Sequence, residues 1–142
     1  MEFYNILINA HKGFAYLELL LVAAFFILLL VTMFGKAGQV SNPFRKVTLF
    51  TMIFFHVQFL LGIALLFTNV SNGLDMGAIM KNAPLRFQYV EHPTAMLIAA
   101  VIMTIINKKV KTSERIAVPV VSLGLVAIAL FVFAFPWTRV FG

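Results

Sequence analysis

The sequence predicts an all-α membrane protein: four transmembrane helices in an up-down bundle, with the N and C termini both on the outer (periplasmic) side. Three observations point there: the composition, four long apolar runs, and the placement of Lys and Arg. Of 142 residues, 62% are hydrophobic and 11% charged, and the mean hydropathy is +1.00. A soluble domain of ordinary composition carries about 25% charged residues, so this chain lacks the polar side chains to cover a globule. Its length suits one domain, residues 1–142. A net charge of +6 would suggest nucleic acid in a soluble protein. Here the charges lie between apolar runs, where they orient the chain in a bilayer and imply no nucleic-acid partner.

Each span follows from the thickness of the hydrocarbon core, about 30 Å, which takes roughly 20 apolar helical residues. Stretches 13–34, 47–67, 87–106 and 116–135 meet that requirement. Backbone groups in lipid must satisfy one another, and without the alternation of barrel strands these runs are helices. The first run is too long for a signal-peptide core, and Lys36 stands where a small-residue cleavage motif would be, so the helix is expected to be retained. Linking segment 35–46 holds turn residues including Pro43. Segment 69–83 holds Asn72-Gly73, Gly77 and Asn82, with Pro84 placed to open the third helix. Segment 107–115 is short and basic, which makes the last two helices a hairpin.

Orientation follows from Lys and Arg. Lys36, Arg45, Lys46, Lys108, Lys109, Lys111 and Arg115 lie in the first and third links, against Lys12, Lys81, Arg86 and Arg139 on the other side. Seven against four puts the first and third links inside a bacterial-type inner membrane. Trp137 and Tyr4 then fall in the outer aromatic belt. Lys108, Lys109 and Lys111 anchor the inner leaflet, and the sixteen Phe residues supply lipid contact and core packing.

Cysteine is absent, which excludes disulfides, thiolate metal centres and covalent haem attachment. A cofactor must then be held by His, Met, carboxylate or backbone. Ionisable residues at membrane depth are costly and usually functional; here they are His11, Glu18, His56, Glu91 and His92, with Gln58 as a neutral neighbour. A first helix that begins near Tyr4 puts His11 about two turns inside it, and His92 lies about two turns beyond Pro84. Helices one and three lie diagonally in an up-down bundle. Two imidazoles at one depth on diagonal helices suit one bis-histidine haem b.

His56 falls near mid-membrane, deeper than His92. It is a spare residue, a group supporting the ligands, or one end of a His/Met metal site. Gln58 and Gly62, four apart on one helical face, would let a flat cofactor approach the backbone. Pro93 should bend the third helix beside His92. Arg86, Lys81, Lys12 and Arg139 would meet haem propionates. Glu18 is expected to snorkel outward or to pair with a neighbouring His.

The segments "HVQFLLGIALLFTNVSNGL", "YVEHPTAMLIAA" and "NAHKGFAYLELLL" resemble three helices from one half of haem A synthase and of small bacterial cytochrome-b-like membrane proteins, with the helix order circularly shifted. The resemblance implies His11 and His92 as axial ligands and Glu91 as the neighbouring acid. In that family the Glu lies three residues before the His, whereas Glu91 is adjacent to His92. The Arg that follows the family's His is Pro93 here, and the second four-helix half is missing. The resemblance therefore implies haem binding and electron transfer more than haem modification. Two readings stand beside it. One is a haem-free accessory subunit of a larger respiratory or transport complex, or a homo-oligomer, whose polar residues satisfy partner helices. The other is a quinone or metal site, with Glu91 as the acid of an enzyme on haem or quinone.

Overall fold

The computed structural model describes residues 2–141; residues 1 and 142 of the expected domain lie outside the described residues. Among the described residues the chain is helical, with an isolated bridge between Gln39 and Arg115 and no strand. The elements are α1 (Glu2–Leu30), continued by a π turn over Val31–Gly35, α2 (Asn42–Ser71), α3 (Met76–Lys81) and α4 (Ala83–Arg86). A second π turn over Phe87–Glu91 leads into α5 (His92–Thr112), followed by α6 (Val118–Ala134) and α7 (Trp137–Phe141).

Three continuous helical stretches are long and apolar enough to cross a membrane: Glu2–Gly35, Asn42–Ser71 and Ala83–Thr112. Each exceeds the span expected for it, because polar residues at the ends also find helical partners. Asn69 Nδ2 donates to Leu65 O at 3.0 Å and prolongs the end of α2. The fourth run gives a helix of 17 residues, shorter than the expected 116–135. It stops because Pro119 sits in its first turn and Pro136 cannot continue it. Seventeen residues rise about 25 Å.

The helices pack in cyclic order: α1 on α2, α2 on α5, α5 on α6, and α6 on α1. That order leaves α1 and α5 diagonally opposed. The first and third links meet at one end, where Val40 N donates to Glu114 O and Ile116 N to Gly38 O, both at 2.8 Å. Arg45 closes the same end by donating to Val110 O and Ser113 O, carbonyls that the end of α5 would otherwise leave unpaired.

The core runs from these links along the interior to the far end of α6, where Phe131 and Phe135 are buried. Phe25 stacks on Phe44 with ring centres 5.8 Å apart, and Phe55 meets Phe131 edge-on at 5.8 Å. Small residues (Ala99, Ala100, Gly124, Ala127) let the helices approach, the pattern that packing in lipid requires. A Cβ on Gly124 would lie 3.2 Å from Leu29 Cδ2 and 3.5 Å from Phe25 Cζ. Gly124→Leu is therefore expected to force α6 from α1 at a cost of about 1–3 kcal/mol. Its melting temperature in detergent should fall, and an unchanged value would contradict this packing.

Candidate functional site

Away from the linked end, the space between α1, α2 and α5 opens into a cavity of about 380 Å³. That is within the roughly 300–1,000 Å³ typical of ligand and cofactor pockets. One face of α1 lines it: Tyr4, Ile8, His11, Ala15 and Glu18, which recur every three or four residues and so stack on one side of a helix. From α2 come Phe55, Gln58, Phe59 and Gly62, with the same periodicity. From the α5 side come Phe87, Tyr89, His92 and Met96.

The imidazoles of His11 and His92 face each other across this space, ring centres 6.1 Å apart and planes at 88°. Metal–nitrogen bonds of about 2.0–2.1 Å on opposite sides of one ion put imidazole centres about 6 Å apart. The observed spacing fits that geometry. His92 Nδ1 donates to Ala134 O at 2.6 Å, which fixes the tautomer and leaves Nε2 free as a ligand. His11 Nδ1 is buried without a hydrogen-bond partner. Gln58 Nε2 donates to His11 O at 2.9 Å, which ties α2 to α1 at the level of the ring. Gly62 faces the same ring; a Cβ there would lie 3.8 Å from His11 Cε1. The residues present thus suit a flat metal-centred group, with two inward imidazoles and a cradle kept open by glycine.

Pro93 shapes the approach of His92. It has no N–H, and its ring would collide with the carbonyl of Tyr89. The backbone answers with the π turn over Phe87–Glu91, in which His92 N–H bonds to Phe87 O five residues back. The expected bend is therefore realised as a widened turn. The same turn brings Arg86 and Glu91, five apart, into an ion pair of 2.9 Å.

That pair bears on two expectations. Neither Arg86 nor Glu91 lines the cavity, because Arg86 is engaged by Glu91 and by Met80 O. Adjacent residues on a helix also point about 100° apart, so with His92 inward Glu91 turns away. The cations that do line the cavity are Lys12 and Arg139. With side chains 39% and 35% exposed, the ion pair is worth at most about 1 kcal/mol. Glu91→Gln is expected to leave both the melting temperature and any cofactor absorption nearly unchanged; loss of that absorption would return Glu91 to the site.

Glu18 revises a third. It does not snorkel outward but is 3% exposed and lines the cavity beside the Gln58 amide. Neither Glu18 Oε1 nor Gln58 Oε1 has a hydrogen-bond partner. The seven-residue step from His11 to Glu18 was the available signal, since it returns to the same helical face. His56 is not brought to the other histidines. It is exposed and its Nε2 pairs with Thr104 Oγ1 at 2.7 Å. Residues two apart on a helix point about 200° apart, so an inward Gln58 sends His56 outward. Among the described residues no group of three or more His, Cys, Asp or Glu converges on a metal site.

The C-terminal segment, for which the sequence suggests an aromatic belt residue in Trp137 and a propionate partner in Arg139, also closes the cavity with Phe135, Pro136, Thr138, Arg139 and Val140. Tyr16 donates to Val140 O at 3.0 Å and Arg139 Nη2 to Gln88 Oε1 at 2.6 Å, so the segment is tied to both α1 and the second π turn. The chain is thus all-helical, with helices of membrane-crossing length around a histidine-lined cavity. No protein-family profile matches it, and neither a curated protein nor a solved structure does.

Proposed function

We propose that this chain is a multi-pass protein of a bacterial-type inner membrane that binds one haem b between His11 and His92 and transfers electrons near the outer face. In this reading α6 is the fourth span, at the short end of the usual range of about 17–25 residues, and both termini lie outside. The observation that carries the proposal is the His11–His92 pair, 6.1 Å apart over the cavity. A haem iron ligated on both sides supplies a one-electron carrier with no open position for substrate. Lys12 and Arg139 at the cavity wall would pair with its propionates, in place of Arg86. The resemblance to haem A synthase and cytochrome-b-like proteins supports the same reading, without its acid, since Glu91 is engaged elsewhere.

Purification in mild detergent followed by a reduced-minus-oxidised visible spectrum and iron analysis tests this. The expected result is sharp α and Soret bands with one iron per chain. A folded, colourless protein would favour the second reading, a haem-free accessory subunit packed against partner membrane helices.

A further inference from the structure

Glu18 is the ionisable group that haem ligation leaves unused. It is 3% exposed, seven residues and about 10 Å along α1 from His11. Among the described residues the ion pair found is Arg86–Glu91, so no side-chain cation stands within ion-pair distance of Glu18. Gln58 is fixed by the bond from its Nε2 to His11 O, which leaves Oε1 as the unpaired atom of its amide. Glu18 lies beside this amide with its own Oε1 unpaired. Burial of an unpaired charge costs several kcal/mol or more in such surroundings.

We infer that Glu18 is an internal proton site coupled to the electron: it takes up one proton when the metal centre between His11 and His92 gains one electron. The inference rests on the haem reading above. An oxidised centre carries a positive charge that offsets the Glu18 carboxylate across the cavity. One electron, from dithionite in the test below, removes that charge. One proton from the medium then converts the carboxylate to the neutral acid, so electron and proton balance. The other titratable or charged groups that line the cavity are Tyr4, His11 and Lys12 on α1, Tyr89 in the π turn, His92 on α5 and Arg139 on α7; α2 contributes none. Glu18 is the one carboxyl among these lining residues.

The test is a redox titration of the purified holoprotein at several pH values, with dithionite as reductant. Proton uptake on reduction favours the reduced form at low pH, so the midpoint potential falls as pH rises. The slope approaches about 59 mV per tenfold change in proton activity for one proton per electron. In Glu18→Gln the potential becomes nearly independent of pH. Infrared difference spectra of the wild-type protein provide a readout that does not need the variant: a protonated-carboxyl C=O band should appear on reduction. A flat wild-type profile, a slope kept in Glu18→Gln, or no such band overturns the inference and leaves the haem reading intact. A protein with no redox-active chromophore overturns both.

Discussion

Alanine at either His11 or His92 is expected to abolish the visible absorption of the purified protein, whereas His56→Ala retains it in full. The two imidazoles stand 6.1 Å apart across the cavity, so in the proposed site each would hold one side of the same metal ion, and loss of either would leave a single attachment. His92 is also held by its bond to Ala134 O; its removal frees the end of α6 as well as the ligand. His56 is exposed and bonded to Thr104, outside the cavity lining, and does not replace either ring. Reduced-minus-oxidised spectra of the three variants, each checked for helicity in detergent, measure this. Bands surviving in His11→Ala or His92→Ala would break the pairing of the two rings.

The second large effect comes from filling the cavity while keeping both ligands. Gly62 stands opposite His11, and a Cβ there meets Cε1 at 3.8 Å, ordinary van der Waals contact. Gly62→Ala should therefore bind cofactor almost as the wild type does. Gly62→Phe puts a ring into the cavity of roughly 380 Å³ beside His11, and cofactor occupancy is expected to fall to near zero with little change in helicity. Because the side chain enters existing space instead of a packed core, the overpacking cost that follows core enlargement, typically 1–3 kcal/mol, is largely avoided. Iron per chain reads the effect, and full occupancy in Gly62→Phe would place the cofactor elsewhere.

What the sequence revealed and what it concealed divide along physical lines. The long apolar runs predict helices because lipid leaves the backbone no other partner, and those helices are present, three of them long enough to cross. The fourth falls short because hydropathy alone does not register Pro119 and Pro136 as its effective limits. His11 and His92 could be matched in depth by counting turns, since helical rise is constant. Facing direction was harder. Helical phase was available for His56 against Gln58, and for Glu18 against His11, yet it carries weight only once one residue of each pair is known to face inward. Glu91 and Arg86 needed more: the π turn that brings them together arises from a clash between the ring of Pro93 and a backbone carbonyl. Closure of the cavity by residues 135–140 depends on long-range contacts, Tyr16 to Val140 and Gln88 to Arg139, which no local pattern announces.

Pulsed electron paramagnetic resonance of the oxidised protein, grown with ¹⁵N-histidine, reads the ligands of the metal directly. Two coupled histidine nitrogens in the wild type, with both couplings lost in His11→Ala and His92→Ala, are the result this account predicts. Coupling to one histidine or to none, in a protein that carries its full complement of iron, would contradict it.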